Sequence, residues 1–250
     1  MRRPLDRDDG QEGRRRSHRK AKRHHQPEER QVSLHPNRIS PANENQRKAY
    51  NYWDEGQHLL LHGCAGTGKT LIAMYLGLSE VMAGRHTKVV LVRSAVPTRD
   101  QGFLPGNLKE KAAIYELPFI GACSDIYERG DAYHQLKAKG LVDFVTTSYV
   151  RGITLHDCII IIDEVQNLSL HEISSVITRT GQNSRLIVMG DFMQSDLQRH
   201  HERKGVTDFI KIAKRMGSFG LVEFTHDDIL RSDVVKEYIV ARDTLGITED

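Results

Sequence analysis

Six short apolar runs recur along the chain: His58–His62, Lys88–Arg93, Asp143–Thr147, Cys158–Asp163, Leu186–Gly190 and Leu221–Thr225. Several are continuous Ile/Val/Leu stretches rather than alternations of apolar and polar positions. Continuous runs suit strands covered on both faces, as in a parallel sheet flanked by helices. Helical stretches separate the runs, so the expected architecture is α/β, with a doubly wound, mostly parallel sheet. Ser40-Pro41 offers a cap and first turn for the first helix. Residues 100–140 hold the least strand-like sequence and are expected to form helices with a substantial loop. There is no internal repeat.

Residues 1–40 break this pattern. They contain "GRRRSHRKAKRHHQ" and almost no large apolar side chains. Such a segment buries too little surface to offset its ordering entropy, so it is expected to be disordered. Residues 41–250 are expected to form one domain. The charge divides in the same way. Residues 1–40 carry twelve Lys/Arg and six Asp/Glu, a net +6, so the body is −3 within the chain total of +3. A polybasic arm attracts phosphate backbones, and an inert solubilising tail has the same composition. Six acidic residues interrupt the arm and argue against an organellar transit peptide.

No apolar run approaches the ~20 residues that span a bilayer, and the N-terminus has no apolar signal segment. The three cysteines, Cys64, Cys123 and Cys158, lack CxxC spacing. A disulfide framework is therefore not expected, and a reducing cytoplasm is. The histidine pairs His24-His25 and His200-His201 have no partners at zinc-motif spacing and read as solvated.

Chemistry enters with "LLLHGCAGTGKTLIAM". Gly63, Cys64, Ala65, Gly66, Thr67, Gly68, Lys69 and Thr70 fit G-x-x-x-x-G-K-[ST] between a Leu-rich run and a helical pattern. Glycine permits the dihedrals that turn amides inward and removes the Cβ that would block a phosphate. The following helix presents its positive end. Lys69 is expected to reach the β/γ-phosphates and Thr70 to ligate Mg²⁺. Cys64 reads as a small apolar filler.

"CIIIIDEVQ" supplies a carboxylate pair at a strand's carboxyl end, where ligands bind in such sheets. Asp163 is expected to hold Mg²⁺ and Glu164 to polarise the attacking water. In "VMGDFMQSDL", Gln194 follows a strand end and is either a γ-phosphate sensor or an ordinary solvated turn residue. Gln46 has the donor–acceptor pair that reads the N6/N7 edge of adenine, which favours ATP, and no guanine motif opposes it. Arg231 in "DDILRSDVV" is either a transition-state arginine or a surface one.

These segments in this order resemble the PhoH-like family of P-loop ATPases, over roughly residues 40–245. The resemblance rests on "NENQRKAY", "GCAGTGKT", "GFLPG", "SYVRGITLHDCIIIIDEVQNL", "GDFMQSDL" and "ILRSDVV". It implies a RecA-like lobe related to those of superfamily 1 helicases. By the resemblance, Gln46 belongs to the adenine-reading motif and Gly63 to Thr70 to the phosphate loop. Asp163 and Glu164 match the acidic pair, Gln194 the sensor, and Arg231 an arginine that His-Pro usually follows. Here Ser232-Asp233 follows it, and Cys64 stands where Pro is usual. The helicase likeness also makes Arg93, Arg99 and Arg151 candidates for nucleic-acid phosphates, with structural or rim roles as the alternative. A PIN-type nuclease domain, which precedes the ATPase in some relatives, is not expected from the basic residues ahead of this one.

The implied function is Mg²⁺-dependent ATP hydrolysis coupled to single-stranded nucleic acid, RNA ahead of DNA. One lobe makes half of a helicase cleft, so a homo-oligomer is expected, with a hexameric ring as one form. Arg231 would then act in its own or a neighbouring subunit. The alternative is an ATP-regulated adaptor in phosphate-stress or RNA metabolism, with slow turnover.

Overall fold

The computed structural model describes residues 34–94, 108–191 and 200–247. Six strands form one sheet: β1 (His58–Gly63), β2 (Lys88–Arg93), β3 (Val142–Thr146), β4 (Cys158–Ile162), β5 (Arg185–Gly190) and β6 (Phe219–Phe224). Their order is β3-β2-β4-β5-β1-β6, and every pairing is parallel. The six apolar runs are these strands, with ends displaced by up to two residues.

The side-chain alternation explains why the runs are continuous. Leu59 and Leu61 of β1, Leu91 of β2 and Ile159 and Ile161 of β4 join one buried cluster. Leu60, Val90, Val92, Ile160 and Ile162 join the other. The first cluster is closed by α1 (Glu44–Asp54), α2 (Lys69–Met82), α3 (Leu108–Tyr127) and α4 (Ala132–Ala138). The second is closed by α5 (Thr147–Val150), α6 (Leu170–Ile177) and α7 (His200–Met216). A sheet with a helical layer on each face needs apolar residues on both sides of every central strand. A last helix, α8 (Asp233–Thr244), has no buried residue.

Two local expectations shift. The first helix is capped by Asn43, whose side chain accepts from Gln46 N at 2.8 Å, and not by Ser40-Pro41. Asn satisfies an orphan N–H directly, which outweighs proline's preset φ. The packed chain also begins ahead of Pro41: Leu34 is buried, and Asn37 N–H donates to Ile126 O at 2.9 Å. Residues 1–33, most of the basic tail, lie outside the described residues.

Candidate active site

Because all six strands run the same way, the carboxyl ends of β1, β2, β4 and β5 meet along one edge of the sheet. The loop after β1 fills that edge. Gly63 has φ +112°, and a Cβ there would run into the backbone of Phe224. Its neighbour Cys64 donates its N–H to Phe224 O at 3.0 Å, fixing the loop to β6. Gly68, with φ +83°, is the N-cap of α2 and supplies no side-chain acceptor. The first amides of α2 therefore get no acceptor from a cap side chain, as an anion cradle requires.

Lys69 opens α2 and folds back over the loop. Its Nζ donates to Gly63 O at 2.7 Å and Cys64 O at 2.6 Å. Burial pushes the ammonium's pKa down; Asp191, Cys64, Glu164 and Asp163 oppose that shift. Thr70 stands beside it in the first turn, half-buried. The loop geometry fits an anion such as phosphate, and Lys69 is placed so that it could exchange loop carbonyls for an anion's oxygens.

The acidic pair follows β4, which is separated from the phosphate-loop strand by β5. Asp163 is 5% exposed, and its N–H donates to Val92 O at 3.0 Å. Burial raises its carboxyl to about 6, against the pull of Arg93. A buried carboxylate so weakly compensated is a natural ligand for a hard cation, so the oxygen donors of Asp163 and Thr70 fit Mg²⁺ by their chemistry. Glu164 adopts a left-handed backbone, φ 52°, at the turn out of the strand. Its carboxylate accepts from Gln166 Nε2 and faces Arg93 Nη2 at 3.3 Å.

Arg93, at the end of β2, spans the pair. Its Nε lies 3.4 Å from Asp163 Oδ2, and its Nη1 donates to Tyr115 O at 3.0 Å. The arginine proposed above for nucleic-acid phosphate thus points at the acidic pair. Gln166 makes a second link: Asp191 N–H donates to its Oε1 at 3.1 Å. Gly190 is required for that approach, since a Cβ would sit 2.5 Å from Gln166 Oε1. The sequence displays Gln166 inside "DEVQ" and Asp191 after β5, but spacing alone does not reveal that they join two strand ends.

Gln46 is 4% exposed and reaches the same loop from α1. Its Nε2 donates to Thr67 O at 3.0 Å, and its Oε1 accepts from Ala42 N at 2.7 Å. Both ends of the amide already have protein partners, so here Gln46 props the phosphate loop. Arg231 lies on the loop of its own chain: a Cβ at Gly66 would be 3.0 Å from Arg231 Cγ, and Leu230 N–H donates to Gly66 O at 3.0 Å. Arg151 is exposed at the end of α5. Gln194, Arg99 and the "GFLPG" segment, 102–106, lie outside the described residues.

A glycine-rich loop joining β1 to an uncapped α2, on a parallel sheet whose acidic strand is one strand removed, defines a P-loop domain of the RecA-like class. More narrowly, the chain belongs to the PhoH-like family, whose model matches residues 38–243. It is 34% identical over 186 residues to a PhoH-like protein of Bacillus subtilis, covering 72% of this chain and 56% of the relative. It is 31% identical over 204 residues to one of Mycobacterium tuberculosis, covering 81% and 57%. The chain thus spans little more than half of the relatives it matches. Among solved structures, the large terminase of the thermophilic bacteriophage D6E in complex with ADP aligns with a TM-score of 0.46 at 15% identity, covering 78% of this chain and 48% of that one. Among the described residues, no helix is long and apolar enough to cross a membrane.

Proposed function

We propose that this domain binds ATP with Mg²⁺ and hydrolyses it, and that single-stranded nucleic acid, RNA ahead of DNA, stimulates the turnover. The observation that carries the reading is the convergence of three charged groups beside the uncapped start of α2: half-buried Lys69, buried Asp163 and the adjoining Glu164. The loop amides and Lys69 would hold the phosphates. Thr70 and Asp163 would hold Mg²⁺, which supplies charge neutralisation on the β- and γ-phosphates when bound. Glu164 would orient water and take its proton. Gln46 would keep Thr67 and the loop in register and read adenine with its remaining hydrogen-bonding capacity. Arg231, already against Gly66, would add charge stabilisation from the same chain, and Gln194 would sense the γ-phosphate.

The ATP-regulated adaptor with slow turnover is favoured by a separate observation. Glu164 is held by Arg93 and Gln166, and Lys69 by its own loop carbonyls, so each catalytic group has a partner to leave before it acts. For self-association, α8 exposes Val234 and Tyr238, and its C-cap Leu245, at 70%, 62% and 71%. These positions share one helical face, which a two-fold dimer would cover by self-pairing and a closed ring by docking it on a neighbouring subunit.

ATP turnover with and without single-stranded RNA or DNA, in the full chain and in Lys69→Ala, tests the proposal. The expected result is turnover that nucleic acid raises and Lys69→Ala abolishes. Turnover indifferent to nucleic acid would favour the adaptor, and equal turnover in Lys69→Ala would remove the site assignment.

A further inference from the structure

A second cluster of ligating groups lies behind the phosphate loop, joining residues far apart in the sequence. Cys64, His226 and Asp243 each place one donor atom within 4.8 Å of the other two. Cys64 comes from the phosphate loop, His226 from the turn His226–Asp228 after β6, and Asp243 from α8. We propose that these three side chains form a binding site for a thiophilic divalent cation of the Zn²⁺ class, distinct from the Mg²⁺ position at Thr70 and Asp163.

The donor set fits that class. One thiolate, one imidazole and one carboxylate suit Zn²⁺ or Co²⁺, whereas Mg²⁺ takes oxygen ligands. The thiolate and carboxylate together balance a divalent charge. Tetrahedral bonds of about 2.0–2.3 Å place neighbouring ligand atoms roughly 3.3–3.7 Å apart. The cluster brackets that spacing: His226 Nε2 to Asp243 Oδ2 is 2.8 Å, and every separation stays within 4.8 Å. The His–Asp pair needs to open by less than an ångström, with the thiol already within 4.8 Å of both. Solvent completes the coordination, as in other three-ligand zinc sites.

The surroundings fit as well. Arg242 donates to Asp243 Oδ1 from Nε at 3.0 Å and Nη2 at 2.9 Å, orienting the carboxylate and leaving Oδ2 toward the imidazole. Such outer partners commonly fix ligating carboxylates. His226 and Asp243 are partly exposed and give a route in, while Cys64, 4% exposed, forms the inner wall. The cluster is ill suited to nucleophilic catalysis. Burial, with Asp191 and Asp243, raises the thiol's pKa against the pull of Lys69, so Cys64 is not the exposed thiolate such chemistry needs. On ligation its proton passes to solvent.

The site also couples two elements. The helix α8 has no buried residue and meets the fold chiefly through the turn that carries His226. A cation shared with Cys64 would staple α8 to the phosphate loop. Cys64 O accepts from Lys69 Nζ at 2.6 Å, and Cys64 N–H donates to Phe224 O. Holding Cys64 in place therefore holds Lys69 on its own loop. The cation would oppose nucleotide binding, a consequence that rests on the reading given under Proposed function.

Co²⁺ titration of the full chain, with no nucleotide present, tests the site independently of that reading. The expected result is a sulfur-to-cobalt charge-transfer band that saturates at one Co²⁺ per chain, is displaced by Zn²⁺, and disappears in Cys64→Ser. The chain's other histidines can take up Co²⁺ but cannot produce a sulfur band. His226→Ala and Asp243→Ala should each lower Co²⁺ affinity by at least about tenfold, a loss comparable to that for outer-shell partners. No sulfur band in the wild type, a band that persists in Cys64→Ser, or affinity unchanged in both other variants would overturn the site. Zn²⁺ should weaken binding of a fluorescent ATP analogue in the wild type and much less in His226→Ala, which controls for chelation of Zn²⁺ by the analogue. Equal weakening in both would overturn the opposing role while leaving the Co²⁺ result to decide the site.

Discussion

Two buried carboxylates stand at opposite ends of the same sheet and are treated in opposite ways. Glu80, near the C-terminal end of α2, is 8% exposed, and Asp163, at the carboxyl end of β4, is 5% exposed. Burial alone would raise both pKa values. At Glu80 the hydrogen bond and charge of Arg85, the Trp53 indole and Arg185 overcome it and hold the group below the usual range. Arg85 Nε sits 2.6 Å from Glu80 Oε2, and Trp53 Nε1 donates to Oε1 at 3.2 Å. Nearby, Arg185 stacks 3.3 Å from the Trp53 ring centroid and donates from Nη2 to Trp53 O and Gln57 O. At Asp163, among the described residues, only Arg93, at 3.4 Å, offers a comparable side-chain cation contact, and the carboxyl rises to about 6. Equal burial therefore does not identify a functional acid. The number of compensating partners separates them: Glu80 has hydrogen bonds from Arg85 and Trp53, whereas Asp163 faces Arg93 alone at the proposed ligand edge and fits the part of a functional acid.

Substitutions can break that contrast, and the largest effect is expected at the phosphate loop. Lys69→Ala should lower ATP affinity at least about a hundredfold, near 3 kcal/mol, with little loss of stability; equilibrium binding of a fluorescent analogue measures it. Glu80→Ala should do the reverse. It strips a carboxylate from a buried network, with an expected loss of about 2–4 kcal/mol in denaturant unfolding and unchanged nucleotide affinity. The sign with pH follows from the lowered pKa. The Glu80 contribution is complete above the ordinary carboxylate pKa of 4.5 and fades as pH falls through the lower folded value. Glu80→Gln should flatten that acid limb.

Asp163→Asn should have the opposite sign. A carboxyl raised to about 6 costs the fold stability once ionised, fully so above that pH. At neutral pH without Mg²⁺ the variant should gain about 1–2 kcal/mol, and Arg93 keeps Glu164 and Tyr115 O as partners. A loss of stability would place Asp163 with Glu80 as a structural acid. The smallest effect is expected at Asn43→Ala, about 1 kcal/mol from a lost helix cap, read as a lower melting temperature.

Much of this was legible in the chain. The continuous Ile/Val/Leu runs reported a sheet buried on both faces, and they located all six strands because hydrophobic burial acts residue by residue. Gly63 to Thr70 and Asp163-Glu164 stood out as a candidate site because phosphate and metal chemistry constrains residue type at short spacing. The partnerships were not. Arg93 with the acidic pair, Gln166 with Asp191, and Cys64 with His226 and Asp243 depend on strand order and on where α8 lies, and separations in sequence carry no trace of either. Gln46 shows the intermediate case: its position against the loop follows from the motif, but its bonds to Thr67 O and Ala42 N appear only in three dimensions.

The most direct test of the site is Glu164→Gln, with ATP binding and ATP turnover measured on the same preparation. The variant keeps the side chain's size while removing its charge and its capacity as a base. The expected result is affinity close to wild type with turnover lower by about 10²–10⁴-fold, the usual range for loss of a general base. Turnover equal to that of the wild type, with ATP bound equally well, would contradict the assignment.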